Sequence, residues 1–342
     1  MRKLGFAIVG AGSIGQVHAE ALSKIEQAEL KAVHDCTSSR GKALADKFDI
    51  DWYDDFEKLL MRDDIDAITV CTPSSLHGDF AIRIAEAGKH VIVEKPLDVT
   101  VERCDQIIEA AEKHGVALSV IYQNRFKDNV QAMRAALDEG RCGKLLLGDA
   151  HIKWYRPEGY FQGWKGTKKY DGGGALMNQG SHTIDLLQWM MGEVEVVCGY
   201  VDTLVHKIEV EDIGVAALRF KSGAQGIIEG STAIYPGLDE RLGIYGEDGA
   251  IEIEGNRVVT WEFRNEKEND EEKRAIGKDG QGGGASTATG IGLKNHGRQM
   301  REIINAILEG KKPLVDGREA RKSVAIIEAI YEASTSCSVV HL

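Results

Sequence analysis

The sequence predicts two domains: an α/β domain with a doubly wound parallel sheet, then an α+β domain with a large, mostly antiparallel open sheet. Two observations support this. In the first third of the 342 residues, short apolar runs alternate with amphipathic stretches of helical periodicity, and repeated strand–helix units form parallel sheets. After about residue 123, β-branched segments follow one another with turn signals between them, which favours antiparallel pairing. We therefore place the domains at residues 1–123 and 124–342.

The predicted strands of the first domain are continuous apolar runs, as expected for strands buried on both faces. They span residues 6–9, 30–33, 67–70, 91–93 and 118–121. Helices are predicted between them, at residues 14–25, 40–48, 76–87 and 101–114, because apolar residues recur there at helical spacing. Ligands bind at the carboxyl ends of the strands in such sheets.

The second domain begins with a predicted helix, 130–139, and an extended segment, 145–155. A Gly-rich turn at 172–174 then opens a helix that runs to about residue 191. The predicted strands that follow are 194–205, 213–220, 224–231, 240–245, 250–253 and 258–263. Charged and then Gly-rich residues predict a mobile surface loop at 265–292, of a kind that can order on ligand binding. Helices at 296–308 and 319–335 close the chain.

Composition limits the class of function. The chain has 42 Lys and Arg against 54 Asp and Glu, a net charge of −12, which disfavours nucleic acids and anionic membranes as general partners. No apolar run approaches the ~20 residues that span a bilayer. The six cysteines include no CxxC pair, so we expect reduced thiols, a cytoplasmic location and no metal site.

A glycine motif follows the first predicted strand and opens a helix. Its residues are Gly10, Gly12, Ser13, Ile14 and Gly15. Glycines allow a tight turn, close approach of a pyrophosphate and close packing of helix on strand, and the helix N-terminus faces the phosphate charge. Asp35 ends the second predicted strand, where a carboxylate accepts a hydrogen bond from the ribose 2′-OH. The pattern predicts NAD as the cofactor, and Arg40 nearby leaves NADP open.

Two further motifs follow the strands at 67–70 and 91–93. They are Cys71-Thr72-Pro73-Ser74-Ser75-Leu76-His77 and Glu94-Lys95-Pro96. A lysine at the carboxyl edge of the sheet can polarise a reacting oxygen, although position alone favours a surface lysine. Together with the glycine motif and residues 172–187, these motifs resemble the glucose–fructose oxidoreductase/inositol dehydrogenase/MocA family over essentially the whole chain.

This resemblance implies an NAD-dependent dehydrogenase that oxidises one hydroxyl of a sugar-like substrate. It implies that Lys95 contacts the reacting hydroxyl and that Glu94 shapes the nicotinamide pocket. Further cofactor contacts implied by the matching motifs are Thr72, Pro73, Ser75, His77 and Asn124.

The segment 172–187 carries a candidate base. If it is helical, Asn178 and His182 are four residues apart and share a face, with Asp185 three residues further. An imidazole titrates near neutrality and can accept the hydroxyl proton as hydride leaves carbon. A single histidine on a helix is more often structural, but His182 matches the family's acid/base histidine. Inositol dehydrogenases usually carry aspartate at the position of Asn178, which we expect to orient the substrate.

Cations alternate with aromatic rings between Lys153 and Tyr170. Rings offer flat platforms for sugars or bases, and cations neutralise phosphate or carboxylate; a solvated strand edge is the alternative. The pattern resembles UDP-N-acetyl-2-amino-2-deoxyglucuronate 3-dehydrogenases, although Lys165 replaces their usual arginine and lacks its planar fork. The predicted substrate-binding residues are Arg125, Arg156, Trp164, Lys165, Asn178 and His182.

Two classes of function stay open. In the first, an enzyme transfers hydride from a ring carbon to NAD, His182 takes the hydroxyl proton, and Lys95 stabilises the oxyanion, so the substrate is expected between the two domains. A sugar or nucleotide-sugar uronate is the predicted substrate, with a free sugar or inositol as the alternative. The second class is a non-catalytic dinucleotide-binding regulator, which the pairing of Lys95 with His182 disfavours. A homodimer or homotetramer is expected through the second sheet.

Overall fold

The computed structural model describes residues 3–278 and 293–342, which form two compact units. The first unit comprises Met1–Gln123 and Gly292–Arg321, and the second comprises Asn124–Ile291 and Lys322–Leu342. Among the described residues, no helix has the length and apolar character needed to cross a membrane.

The sheet of the first unit has six parallel strands in the order β3-β2-β1-β4-β5-β6. The strands are β1 (Leu4–Val9), β2 (Ala28–His34), β3 (Asp51–Tyr53), β4 (Ala67–Val70), β5 (His90–Glu94) and β6 (Leu118–Ile121). The helices are α1 (Ser13–Leu22), α2 (Ser38–Phe48), α3 (Phe56–Leu60), α4 (His77–Glu86) and α5 (Val101–His114). The strand order reverses between β1 and β4, the switch point at which such sheets bind ligands. This confirms the predicted doubly wound sheet.

Strand β3 and helix α3 were not predicted. Residues 51–53 form a short edge strand whose side chains are exposed or half-buried. An edge strand that is not buried on both faces needs no continuous apolar run, so it lacks the pattern that identified its five neighbours.

The sheet of the second unit has eight strands in the order β13-β12-β11-β7-β10-β9-β8-β14. The strands are β7 (Leu145–Lys153), β8 (Val194–Asp202), β9 (Ile213–Phe220), β10 (Gln225–Ser231), β11 (Arg241–Gly246), β12 (Gly249–Glu254), β13 (Arg257–Phe263) and β14 (Val340–His341). The unit also contains helices α6 (Asp128–Asp138), α7 (Ser181–Met191) and α8 (Asp270–Arg274). Neighbouring strands are antiparallel except β7 and β10, which confirms the predicted mostly antiparallel sheet.

Helix α7 covers one face of this sheet. Gly148 on β7 has no side chain where Leu187 and Met191 of α7 lie, and a Cβ there would come within 2.8 Å of both. On the opposite face, every second residue of β9 is exposed to solvent. The residues between them, such as Leu218 and Phe220, are buried. The sheet thus has one packed face and one open face.

A π-helical turn, Ala175–Gly180, precedes α7. A π-helix closes each turn with an i→i+5 hydrogen bond, so it is wider than an α-helix and is frequent at functional sites. Asn178 lies in this turn and His182 in α7. The segment is helical as predicted, although its first part is π-helical rather than α-helical, and the shared face of Asn178 and His182 stays a prediction.

Part of the predicted mobile loop 265–292 is ordered. Asp270, at the start of α8, is 1% exposed, and its carboxylate accepts hydrogen bonds from Arg141, from Trp261 Nε1 (2.7 Å) and from Lys267 N (2.7 Å). The prediction is wrong for residues 265–278, because a buried ion pair anchors them. Residues 279–292 lie outside the described residues.

Helices α9 (Leu293–Glu309) and α10 (Gly317–Ser336) close the chain. The apolar face of α9 belongs to the core of the first unit, where Met300 and Ile303 pack in one cluster with Phe6 and Leu22. Gln299 adds a buried hydrogen bond of 2.8 Å from its Nε2 to the carbonyl of Val120. Residues distant in sequence thus complete the first unit, which a boundary at residue 123 does not reveal.

Candidate active site

The glycine motif forms the turn between β1 and α1. Gly10 has φ of +102° and a Cβ there would lie 2.6 Å from the carbonyl oxygen of Cys71, while a Cβ on Gly15 would overlap the carbonyl of Gly10. Gly12 differs, because a Cβ there would meet no described atom within 4 Å. Open space therefore lies beside the N-terminus of α1, where Ser13 and Ile14 begin the helix. This is the arrangement that a pyrophosphate requires.

Asp35 lies next to this turn, as predicted. Its Oδ2 accepts a hydrogen bond from Ala11 N (2.8 Å), its Oδ1 accepts one from Thr37 N (2.7 Å), and Arg40 Nη2 lies 3.2 Å from the same Oδ1. The residue is 5% exposed. A carboxylate has about four acceptor positions, so these bonds leave capacity for a ribose hydroxyl.

His77 joins the two loop motifs at the carboxyl edge of the first sheet. Its Nδ1 lies 2.8 Å from the carbonyl of Pro96 and its Nε2 lies 3.1 Å from the carbonyl of Thr72. Burial lowers the pKa of His77. The contacts seen here are structural, and a contact of His77 with the cofactor stays a prediction, as do those of Pro73 and Ser75.

Thr72 supplies a second observation that fits a bound dinucleotide. Its Oγ1 is buried, and among the described residues it has no hydrogen-bond partner. Together with the open space at Gly12, this hydroxyl is consistent with the predicted dinucleotide site at the carboxyl edge of the first sheet. Asn124 begins the second unit, and its contact with the cofactor stays a prediction.

Glu94 and Lys95 follow β5 at the same edge. Glu94 is buried, and one of its oxygens accepts a hydrogen bond from Lys95 N (3.1 Å). The other lies 2.8 Å from His18 Nε2 and 3.8 Å from His296 Nε2. The sequence prediction missed both histidines, although His18 lies on the apolar face of α1, where a polar side chain needs a buried partner.

Asn178 is held by Asp171. The Asn178 amide donates to one oxygen of Asp171, and the other oxygen accepts a hydrogen bond from Gly166 N (2.7 Å). Because a carboxylate only accepts, Asn178 must present its NH₂ group to Asp171. The sequence prediction missed Asp171, since Asp before three glycines indicated only a turn. Asp171 therefore connects the segment from Lys153 to Tyr170, in which cations alternate with rings, to the turn that carries Asn178.

The π-helical turn is held at its start by Glu211. Its carboxylate accepts hydrogen bonds from Gly174 N (2.8 Å), Leu176 N (2.9 Å) and Tyr331 Oη (2.8 Å). Burial raises the pKa of Glu211 and, more strongly, the pKa of Tyr331. His182 follows in the first turn of α7 and is half-buried. Glu211 and Tyr331 thus set the local frame for Asn178 and His182.

The predicted substrate-binding cations have two different surroundings. Arg125 is 1% exposed and donates two hydrogen bonds to Asp185, of 2.8 and 2.6 Å, while its guanidinium stacks on Trp189. This gives Arg125 a structural partner, and its contact with substrate stays a prediction.

The cations between Lys153 and Tyr170 stack on the rings among which they occur. Arg156 lies 4.7 Å from the ring centre of Trp154, and Lys165 lies 3.8 Å from that of Tyr160. Trp164 begins a turn closed by Thr167, whose Oγ1 donates to the Trp164 carbonyl (2.6 Å). Rings and cations therefore form one cluster in the second unit.

Two family profiles match the chain. Residues 4–122 match the oxidoreductase family with an NAD-binding Rossmann fold (GFO_IDH_MocA), and residues 130–252 match the GFO/IDH/MocA C-terminal domain. The solved WlbA dehydrogenase from Bordetella pertussis, in complex with NADH and UDP-GlcNAcA, is 32% identical with a TM-score of 0.90. That similarity covers 100% of this chain and 99% of the other.

Two further relatives come from other bacteria. The uncharacterized oxidoreductase YrbE of Bacillus subtilis is 31% identical over 261 residues, 75% of either chain. The myo-inositol 2-dehydrogenase of Thermotoga maritima is 28% identical over 331 residues, covering 93% of this chain and 92% of that protein. With the NAD-binding fold matched over the glycine turn and both loop motifs, the chain belongs to the GFO/IDH/MocA family of oxidoreductases.

Proposed function

We propose that this oxidoreductase uses NAD to oxidise a ring hydroxyl of a nucleotide-sugar uronate, of the UDP-GlcNAcA type, to a keto sugar. The observation that carries the proposal is the similarity, along the full chain, to a WlbA dehydrogenase solved with NADH and UDP-GlcNAcA.

The cation–ring cluster supports an anionic substrate. In a chain of net charge −12, Arg156 and Lys165 are held on the rings of Trp154 and Tyr160. A diphosphate and a uronate carry the charges that such cations neutralise, and the rings can pack against sugar or base. A free sugar carries no charge that these cations could neutralise.

The chemistry divides between three side chains. NAD, when bound at the glycine turn, supplies the hydride acceptor. As the carbon loses hydride, its hydroxyl must lose a proton, and we assign the proton to His182. Lys95 stabilises the negative charge that develops on that oxygen. Asn178, whose amide is oriented by Asp171, hydrogen-bonds the substrate.

Inositol or a free sugar is the second candidate substrate. The similarity to a myo-inositol 2-dehydrogenase over 93% of the chain favours it. Against it stands Asn178, because inositol dehydrogenases usually carry aspartate at the matching position. Membership of an oxidoreductase family favours an enzyme over the non-catalytic regulator.

NADH formation with a panel of substrates tests the proposal. We expect kcat/KM for UDP-GlcNAcA to exceed that for myo-inositol and free sugars by about 100-fold, the worth of two charge-assisted hydrogen bonds. The Arg156→Leu and Lys165→Leu variants should lose this preference without losing NAD binding. Equal or better turnover of myo-inositol would overturn the proposed substrate.

We also propose a cytoplasmic location and a homo-oligomer. All six cysteines are free thiols, and Cys71, Cys104 and Cys142 are buried, which suits a reducing compartment. The open face of the second sheet supports association with a further copy of the chain.

A further inference from the structure

A buried cluster beneath the Glu94-Lys95-Pro96 loop is unused by the proposed mechanism. His18 of α1 and His296 of α9 are both 0% exposed, and Glu94 at the end of β5 is 7% exposed. Both histidines face the same oxygen of Glu94, at 2.8 and 3.8 Å. All three residues belong to the first unit.

Charge and proton positions in the cluster follow from its surroundings. Burial by itself would raise the pKa of Glu94, but the interactions with His18 and His296 outweigh it and hold this pKa well below its ordinary value. Burial also lowers the pKa of His18, so its ring is neutral near pH 7. Cys71 Sγ lies 3.4 Å from His18 Nδ1, and burial raises the pKa of this thiol. The thiol therefore keeps its proton toward Nδ1, and His18 Nε2 donates to the carboxylate.

This cluster fixes one side of the Lys95 peptide. One Glu94 oxygen is hydrogen-bonded to His18 (2.8 Å) and lies within ion-pair distance of His296 (3.8 Å), and the other accepts the Lys95 N–H at 3.1 Å. On the other side of Lys95, the Pro96 carbonyl lies 2.8 Å from His77 Nδ1. The lysine side chain thus extends from a backbone held on both sides.

We propose that His18 and His296 are positioning residues that hold Glu94 in the orientation binding the Lys95 N–H, and so place the Lys95 side chain for reaction. The expected effect on turnover rests on the role of Lys95 in the proposed function. The expected effect on the placement of the Lys95 backbone is independent of that role.

A metal site is the competing interpretation of the same atoms. Two imidazoles and a carboxylate are common zinc ligands, and the three potential ligand atoms lie within 4.8 Å of one another. The geometry favours hydrogen bonding, because 2.8 Å between His18 and Glu94 is a hydrogen-bond length, whereas two ligands of one tetrahedral zinc lie roughly 3.3 Å apart. The lone pair of His18 also faces Cys71 rather than Glu94.

Three variants on α9 provide the test. His296→Leu removes the imidazole at similar volume, and His296→Gln returns a donor near the position of Nε2. Gln299→Leu is the matched control, since it removes the buried hydrogen bond to Val120 on the same helix without touching Glu94. Selective ¹⁵N-lysine labelling makes the Lys95 amide resonance observable without any substrate.

We expect His296→Leu to shift the Lys95 resonance and to lower kcat with UDP-GlcNAcA about 10–100-fold, with the Kd of NAD within about twofold. His296→Gln should return both readouts toward wild type, with kcat within about threefold. Gln299→Leu should leave the Lys95 resonance in place.

Several results would overturn the proposal. The first is a Lys95 resonance that does not move in His296→Leu. The second is a shift of this resonance in Gln299→Leu as large as that in His296→Leu. The third is an unchanged kcat in His296→Leu. Stoichiometric metal in the purified protein, or cobalt absorption lost in His296→Leu, would instead establish a metal site. If His296→Leu does not fold, His296→Asn, which shortens the reach of the donor, replaces it. A wild-type protein inactive on UDP-GlcNAcA would contradict the proposed substrate, and the Lys95 resonance would still decide the positioning.

Discussion

Asp35 has a structural role and is predicted to determine cofactor specificity. Its carboxylate accepts backbone hydrogen bonds from Ala11 and Thr37, which ties the glycine turn to the end of β2. In our prediction the same carboxylate accepts a hydrogen bond from the ribose 2′-OH of NAD and repels the 2′-phosphate of NADP. Arg40, close to this carboxylate, opposes that repulsion.

We expect Asp35→Ser to lower the ratio of kcat/KM for NAD to that for NADP about 10–100-fold, because it removes a charge-assisted acceptor and a repulsion together. Asp35→Asn should give a smaller change, since it keeps one acceptor. Arg40→Ala is the opposite control and should raise the preference for NAD. Initial rates with both cofactors measure the ratio, and a ratio unchanged in Asp35→Ser would mean that the ribose is recognised elsewhere.

Lys95 and His182 should act on one oxygen. Lys95→Met should lower kcat on the order of 10²–10³, the effect of removing an electrostatic stabiliser, and His182→Ala about 10²–10⁴, the effect of losing a general base. NAD affinity and thermal stability should stay near wild type. Because both groups serve one atom, the double variant should lose less than the product of the single losses.

Steady-state kinetics with the best substrate and titration of NAD measure these effects. Lys113→Met and His114→Ala, both exposed at the end of α5, are the matched controls. Near-wild-type turnover in either Lys95→Met or His182→Ala would contradict the mechanism.

At the scale of elements, the π-helical turn carries Asn178 and leads directly into the helix that carries His182. The start of the turn is held by two hydrogen bonds to the Glu211 carboxylate, which accepts a third from Tyr331, and a Cβ on Gly174 would overlap the Glu211 carbonyl. A carboxylate buried this deeply is costly unless its acceptors are used. The turn and its acidic anchor therefore form one structural unit.

We expect Glu211→Gln to destabilise the protein by about 1–3 kcal/mol, because its NH₂ group must face a backbone N–H. It should also lower kcat about tenfold, through displacement of Asn178 and His182, with unchanged NAD affinity. Tyr331→Phe, which removes one bond, should cost about 1 kcal/mol. Urea unfolding and kinetics measure both effects.

Glu209→Gln is the control, since Glu209 is exposed and accepts one bond, from Lys168 N (2.9 Å). A loss of stability in Glu211→Gln with no change in kcat would show that Glu211 serves the fold alone.

At the scale of the whole molecule, the open face of the second sheet carries a group of exposed apolar side chains. Tyr200, Val215 and Ile227, on three adjacent strands, are 63%, 45% and 41% exposed. Apolar side chains grouped on an uncovered antiparallel sheet are typical of a subunit contact.

We expect the wild-type protein to sediment as a dimer or tetramer at micromolar concentration. Val215→Glu combined with Ile227→Glu should shift it toward monomer, because buried charges without partners oppose association. Met61→Glu, at an exposed position of the first unit (72%), should not. Sedimentation velocity with circular dichroism separates dissociation from unfolding, and a monomeric wild type would contradict the expectation.

The sequence alone was sufficient for the order of most elements, with β3 and α3 among the exceptions, and for the glycine turn. Buried parallel strands require continuous apolar runs, and a half-buried sheet requires alternation, so both sheets left a local pattern. The roles of Gly12 and Gly15 are equally local, because they concern the backbone of one turn, whereas Gly10 also leaves room for the carbonyl of Cys71. The resemblance then added roles for Lys95 and His182, which stay predictions.

Only the tertiary structure decided which buried polar groups meet. His18 and Glu94 are 76 residues apart, and Arg141 and Asp270 are 129 apart, so no local period relates them. The ion pair between Arg141 and Asp270 orders residues that composition indicated as a loop. Asp171 orients Asn178, which lies in a π-helical turn that α-helical periodicity does not predict. The physical reason is that a buried polar group requires a hydrogen-bond partner, whereas the topology of the chain determines which residue lies close enough to be that partner.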